Sequence, residues 1–181
     1  YETSTVYAVL FISFLLFFAY NRHTRYKMKK YTDSMDIRKD PKLDSLLSQR
    51  KAPLSQDGMN QVLKDLTLYL TGNVIFAAAV YPKEEALAKI DIHAKDIEKT
   101  DVMQGTDEQK YFPVFTDIDH LKKWKPACRK GEYIYLMDKQ DLLNFLENNE
   151  KVAACVVNPM EDDLLLYRMQ LQNMIKIGSE Q

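Results

Sequence analysis

The hydrophobic pattern divides the chain into an apolar first segment and a longer stretch in which helix and strand periods alternate. Residues 6–20 (VYAVLFISFLLFFAY) are almost wholly apolar and carry no charge. A helix of about 18 residues spans about 27 Å, close to the ~30 Å hydrocarbon core of a bilayer. The run therefore predicts a single transmembrane helix over 3–21.

The charges around this run predict its orientation. One acid, Glu2, precedes it, and five bases follow it without an acid: Arg22, Arg25, Lys27, Lys29 and Lys30. Because positive flanks stay in the cytoplasm, we expect a single-pass protein of the cell membrane with its amino terminus outside and its remainder cytoplasmic. Two alternatives are a cleaved signal peptide, whose charges would precede the run, and a buried core helix.

Residues 22–55 are expected to form a basic juxtamembrane segment and a linker. Pro41 and Pro53 favour chain breaks at the residues before them. Leu43, Leu46 and Leu47 have the i, i+3, i+4 spacing of a short helix.

Residues 56–178 alternate between the two periods and predict one α/β (α+β) domain, a mixed sheet packed with helices. Residues 83–109 are polar and indistinct. Apolar runs predict strands over 73–82, 110–115, 132–137, 152–157 and 164–168, and helical spacing predicts helices over 59–71, 138–147 and 169–177. Thr116, followed by Asp119, is a capping-box pattern that predicts a further helix ending before Pro126.

Three stretches carry a family resemblance: KYFPVFTDIDHLKKW at 110–124, EYIYLMDKQDLLNFL at 132–146 and VAACVVNP at 152–159. Together they resemble the amino-terminal domain of the SseB family, over roughly 56–177. The resemblance implies the fold but little mechanism, since the family has no well-established catalytic activity. We expect two departures from the family pattern: an anchor ahead of the domain, and no second such domain after it. The motif positions are Pro113, Val114, Phe115, Thr116, Asp117, Trp124, Asn158 and Pro159.

Composition excludes several function classes. The net charge is -1, with about +5 on residues 1–51 and -6 on residues 52–181, so nucleic acid is not an expected partner. Residues 56–178 contain no serine, the five glycines include no G-x-G pair, and neither C-x-x-C nor H-E-x-x-H occurs. Serine nucleophiles, phosphate-cradling loops and the common zinc signatures are therefore missing. We expect no cofactor, no metal and no catalytic residue.

The sharpest chemical candidate is the cluster of Asp117, Asp119 and His120. Two carboxylates and an imidazole could serve a metal ion or acid–base chemistry. Side chains at i and i+2 of a helix point apart, so a helix start with favourable acids explains the cluster more simply. A reactive thiol at Cys128 and a cation site at Glu161–Asp163 have equally simple alternatives, an incidental loop cysteine and a solvated turn.

Trp124 and the phenylalanines of residues 112–115 could line a pocket, although core packing explains them more simply. Asn158 is expected to hydrogen-bond the loop backbone before Pro159. The leading hypothesis is a membrane-tethered cytoplasmic module that catalyses no reaction. It binds another protein, whose surface we expect to be basic because residues 52–181 carry net negative charge. The alternatives are an immunity factor against a secreted or membrane toxin, and a metal-dependent enzyme or small-molecule sensor using Asp117 and Asp119.

Overall fold

The computed structural model describes residues 28–32 and 39–180, and within those ranges the mixed α+β fold predicted from the sequence is confirmed. These residues form nine strands and five α-helices: β1 Met28–Lys30, α1 Pro41–Arg50, α2 Gln56–Leu70, β2 Phe76–Pro82, β3 Asp91–Ile92, β4 Ile97–Thr100, β5 Met103–Gln104, β6 Lys110–Val114, α3 Ile118–Trp124, β7 Tyr133–Met137, α4 Lys139–Asn148, β8 Val152–Val157, β9 Leu164–Tyr167 and α5 Arg168–Ser179.

The strands form two sheets that meet at one bridge, whereas the sequence predicted a single mixed sheet. The first sheet has the order β3-β1-β7-β2-β4 and all its pairs are antiparallel. The second has the order β5-β6-β8-β9, in which β6 and β8 run parallel. Ala77 and Phe115 exchange two backbone hydrogen bonds, at 2.8 and 2.9 Å, and so join the first sheet to the end of β6.

One large core lies between the sheets and the apolar faces of four helices. It contains Leu47 from α1, Leu66 from α2, Phe145 from α4 and Leu171 from α5, all buried. The ring of Phe145 stacks on Phe112 of β6 with 4.1 Å between centroids. Burial of such side chains is the main favourable contribution to folding.

A second, smaller core lies on the other face of the first sheet. Ala77 of β2 packs there with Phe115 and with Ile118 and Leu121 of α3. Successive strand side chains point to opposite faces, so β2 contributes to both cores. Burial on both sides explains the apolar run over Phe76–Pro82, whereas residues 73–75 of the predicted strand precede β2 and Ile75 is 42% exposed.

Parts of the stretch assigned to a linker belong to the folded domain. Met28 is fully buried, and its strand β1 lies between β3 and β7. Leu43, Leu46 and Leu47 face the main core from α1, in the helix that their spacing predicts. The basic run concealed β1 because Lys29 and Lys30 keep their charges outside the core while Met28 enters it.

Short elements fill the segment that the sequence left indistinct. A turn of 3₁₀-helix at Glu84–Ala86 leads to β3, and another at Ala94–Asp96 leads to β4. Strands β3 and β5 have two residues each, too few to show a period of two.

The predicted anchor, residues 3–21, lies outside the described residues. Within 28–32 and 39–180 no helix is long and apolar enough to cross a membrane.

Candidate functional site

The motif residues gather where the two parallel strands end. Strands β6 and β8 run side by side, with Val114 opposite Val157, so the residues after them emerge at the same edge. Thr116 and Asp117 follow β6, and Asn158 follows β8. The structure therefore brings together positions that lie about forty residues apart along the chain.

Asn158 locks the two strand ends together. Its side-chain Oδ1 accepts the backbone N–H of Thr116 at 3.0 Å, and its Nδ2 donates to the Thr116 hydroxyl at 3.0 Å. The same Nδ2 donates to Oδ2 of Asp162 at 2.8 Å. Its φ of 45° lies in the left-handed region, which asparagine tolerates better than most residues. The Asn158 side chain does bond a loop backbone, but that of Thr116 after β6, whereas the sequence predicted a bond within its own loop before Pro159.

The loop after β8, residues 158–163 and here named the Asn158 loop, has a strained backbone. Met160 has a φ of 68° and Asp163 a φ of 50°, so three residues of this loop occupy the left-handed region. The Met160 side chain is 80% exposed, while its N–H donates to Oδ1 of Asp163 at 2.7 Å. Strain of about 1–3 kcal/mol per residue persists only where surrounding contacts hold it.

Helix α1 holds the Asn158 loop from the other side. Lys51, the C-cap of α1, places its ammonium 2.7 Å from Oδ1 of the buried Asp162. The guanidinium of Arg50 donates to the backbone carbonyl of Asp162. The acidic turn at 161–163, which the sequence predicted to be solvated, therefore has one buried member. This residue, Asp162, forms an ion pair with Lys51.

Asp117 and His120 form a coupled pair at the start of α3. The buried carboxylate of Asp117 accepts the His120 N–H at 2.9 Å and lies 2.7 Å from ring nitrogen Nδ1. The other ring nitrogen, Nε2, lies 3.7 Å from the Glu161 carboxylate, which Lys123 contacts at 2.7 Å. The imidazole therefore lies between the carboxylates of Asp117 and Glu161.

The cap of α3 differs by one residue from the sequence prediction. Asp117 is the N-cap, because its side chain accepts a hydrogen bond from the N–H of His120, the third helical residue. The Thr116 side chain instead hydrogen-bonds Asn158. A predicted Thr116 cap was wrong for this reason. Capping by a carboxylate also complements the positive end of the helix.

Asp119 does not join Asp117. Its side chain is 77% exposed and lies 3.7 Å from the ammonium of Lys39. The neighbour that Asp117 does influence is Asp44 on α1, whose pKa is raised by burial and then by the Asp117 charge. Among residues 28–32 and 39–180 no three His, Cys, Asp or Glu side chains are placed to hold a metal ion.

Trp124, the last residue of α3, borders an open groove. Its ring lies 5.5 Å from the ring of Phe115, tilted by 41°, and is only partly buried. The groove beside it has a volume of about 700 Å³. We name it the Trp124 groove, lined by Thr100, Asp101, Val102, Trp124, Lys125, Pro126, Ala127 and Arg129.

Ion pairs stiffen the floor of the Trp124 groove. The ammonium of Lys125 lies 2.7 Å from Asp101 and also donates to Glu132, whose side chain is fully buried. The second Glu132 oxygen accepts the Arg129 N–H at 2.9 Å. The hydrogen bond from Lys125 lowers the pKa of Asp101 below its usual value. The Arg129 side chain stays 69% exposed.

The remaining predicted positions have plainer roles. Pro113 is buried within β6, opposite Val156, and Pro159 is buried just after β8. Cys128 is exposed beside the groove, but partial desolvation of its thiol and the nearby Glu132 charge raise its pKa, which opposes thiolate formation. Burial likewise raises the pKa of Cys155 in β8.

Sequence reasoning missed the basic residues that hold these loops. Arg50 and Lys51 reach residues more than a hundred positions away, and no local spacing indicates such a contact. The ion pair of Lys125 with Glu132 was also missed, because the loop between these residues is mainly basic and gave no sign of a buried acid. The one available signal was the tight succession Trp-Lys-Pro after α3, where proline forces the chain to turn.

The fold and these contacts define a two-sheet α+β domain whose motif residues lock the ends of two parallel strands. Residues 47–173 match the family model described as SseB protein N-terminal domain, and the chain therefore belongs to this family. Comparison with curated proteins and with solved structures found no match.

Proposed function

We propose that the protein is a membrane-tethered accessory module that binds an extended segment of another protein in the Trp124 groove and catalyses no reaction. The observation that carries this proposal is the composition and rigidity of the groove. Tryptophan and arginine are the residues most enriched at the energetic centres of protein interfaces. Here Trp124 and Arg129 flank one open groove together with Val102, which is 38% exposed.

The buried supports of the groove favour binding, because a preorganised surface loses less entropy when a partner docks. Trp124 rests on Phe115, and Lys125 is fixed between Asp101 and Glu132. The lock at Asn158 fixes the start of α3, the helix that carries Trp124. The family motif thus supports the groove without lining most of it.

The edge of the first sheet supplies a second means of recognition. Strand β4 is the outermost strand on that side of the described sheet, and the chain continues from it into Asp101 and Val102 of the groove wall. An extended peptide can pair with such an edge through its backbone while alternate side chains enter a neighbouring groove. The exposed guanidinium of Arg129 offers donors to carbonyl or carboxylate oxygens of that peptide.

Membrane tethering is the other half of the proposal. The apolar run of residues 6–20 followed by five bases supports an anchor with the domain in the cytoplasm. An anchor confines the domain to the membrane surface and raises its effective concentration near a membrane-bound partner. At that effective concentration, weak contacts in an open groove are sufficient for binding a membrane-bound partner.

Site-specific photo-crosslinking of the full chain in its own cells tests the proposal. A photoreactive amino acid at Ala127, in the groove, is expected to yield one discrete protein adduct, whereas the same group at the exposed Lys151 yields none. Val102→Glu should abolish the adduct. Leu68→Glu, which alters an exposed leucine on α2, is the matched control and should leave it intact.

Deletion of residues 1–20 tests the tether and spares β1. The adduct should weaken strongly when this segment is removed, while circular dichroism of the purified protein stays unchanged. An adduct that survives Val102→Glu, or equal labelling from Ala127 and Lys151, would refute binding in the groove. An adduct of unchanged yield after the deletion would refute the tether alone.

A further inference from the structure

The charge around the Trp124 groove has the opposite sign to the charge of the domain as a whole. Residues 52–181 carry a net charge of -6. The two segments that build the groove, 98–102 and 121–132, carry +3, which leaves -9 for the rest of 52–181. Their bases are Lys99, Lys122, Lys123, Lys125, Arg129 and Lys130, and their acids are Glu98, Asp101 and Glu132. The groove is therefore a basic area on an acidic domain.

Two of the three acids are already bound to bases of the groove. One oxygen of Asp101 accepts from Lys125 at 2.7 Å, and the other lies 3.4 Å from the guanidinium of Arg129. The Glu132 side chain is fully buried, with one oxygen on Lys125 and the other on the Arg129 backbone N–H. The third acid, Glu98 on β4, is exposed. Asp101 and Glu132 thus support the floor of the groove, and their charges are compensated before a partner binds.

Arg129 and Lys99 contact the same side chain, Tyr81 of β2. The Lys99 ammonium lies 4.7 Å from the centroid of the Tyr81 ring, and the Tyr81 side chain also interacts with Arg129. The Arg129 side chain is 69% exposed, and its contact with Asp101 uses Nη1, one nitrogen of a guanidinium that carries five N–H donors. Arg129 therefore keeps donors for a carboxylate, the group that its planar fork binds best.

Lys122 and Lys130 add positive charge that no acid compensates. Both are exposed, and neither forms an ion pair with an acid in the part of the chain that the structure describes. Lys123, by contrast, lies 2.7 Å from the Glu161 carboxylate. Salt largely screens exposed charges that lie more than about 8–10 Å apart. A short segment in the groove therefore responds to these local bases more than to the acids elsewhere on the domain.

We propose that the protein segment bound in the Trp124 groove is acidic, with an apolar side chain packed on Trp124 and neighbouring carboxylates bound to Arg129 and Lys130. This partner chemistry rests on the binding in the groove proposed above. It differs from the basic partner that the net charge of the domain suggests, because the local charge has the opposite sign. A long polyanion such as nucleic acid would also meet the acidic remainder of the domain, whereas a short acidic segment would not.

Identification of the crosslinked segment tests the chemistry of the partner. With the photoreactive amino acid at Ala127 of the full chain in its own cells, mass spectrometry of the adduct should identify a partner peptide that holds more Asp and Glu than Lys and Arg. Arg129→Glu should lower the adduct yield about tenfold or more, because a hydrogen bond to a charged group is lost and a repulsive charge replaces it. Lys64→Glu, a charge reversal at an exposed lysine on α2, is the matched control and should leave the yield unchanged.

Charge exchange separates recognition from a change of fold. Replacing the acids of the crosslinked partner peptide by lysines should restore the yield with Arg129→Glu and lower it with the wild-type chain. Lys130→Glu is a second reversal, at an exposed side chain, and should act in the same direction. A crosslinked peptide that is neutral or basic, or a yield that neither reversal changes, would overturn the acidic partner while leaving protein binding in the groove standing. An adduct of RNA or lipid, or no adduct at all, would refute protein binding in the groove itself.

Discussion

The buried carboxyl of Asp141 makes the stability of the domain depend on pH. Asp141 lies in the first turn of α4, 3% exposed, and its Oδ2 accepts the Asp138 N–H at 3.2 Å. Burial, and then the Asp138 charge, raise the pKa of Asp141 to about 7. A carboxyl that is harder to ionise in the folded state than in the unfolded state destabilises the fold wherever the unfolded chain is ionised.

The size and sign of this effect follow from the two pKa values. Against an ordinary value of 3.8, the difference is about 3 units, or at most about 4 kcal/mol. Below about pH 4 the carboxyl is protonated in both states, and its full contribution to stability is present. Between about pH 4 and 7 only the unfolded state is ionised, so stability falls as the pH rises, and above about pH 7 the loss is complete.

Asp141→Asn removes this dependence and keeps an oxygen that can accept the Asp138 N–H. We expect the variant to gain about 2–4 kcal/mol in unfolding free energy at pH 8 and little at pH 4. Urea unfolding of the full chain in mild detergent, followed through the single tryptophan, Trp124, measures this. Glu147→Gln, at an exposed site on the same helix, is the control. Parallel stability curves for wild type and Asp141→Asn from pH 5 to 8 would refute the reasoning.

Three further predictions concern the free energy of unfolding in urea. Asn158→Ala loses the bonds to Thr116 and leaves alanine at a positive φ, so it should cost about 2–3 kcal/mol; Asn158→Gly, which relieves only the backbone, should cost less. Tyr135→Phe removes a buried hydroxyl that has no hydrogen-bond partner among the described residues and should stabilise the protein by about 1 kcal/mol; an equal loss would indicate a hidden partner. Lys125→Met leaves the Glu132 carboxylate buried without its cation and should cost about 3 kcal/mol or more, most of which Glu132→Gln in the same chain should restore.

Long elements and their caps could be predicted from the sequence because their signals are local. The strand predicted over 73–82 forms β2 from Phe76 onward, the run at 152–157 forms β8, and Asp138 caps α4 as its position indicates. Strand β1 could not be predicted, since only Met28 of its three residues is apolar. Between residues 91 and 104, strands β3, β4 and β5 have only two to four residues each, too few for their apolar pattern to indicate a strand.

The candidate site could be predicted only in its residue types. The succession Thr116-Asp117 and the pair Asn158-Pro159 indicated where loops leave buried strands. That they touch depends on β6 and β8 being parallel neighbours, which no local pattern specifies. The long-range contacts of Arg50 and Lys51 depend in turn on α1 packing against the core, so they become visible only once the whole domain is assembled.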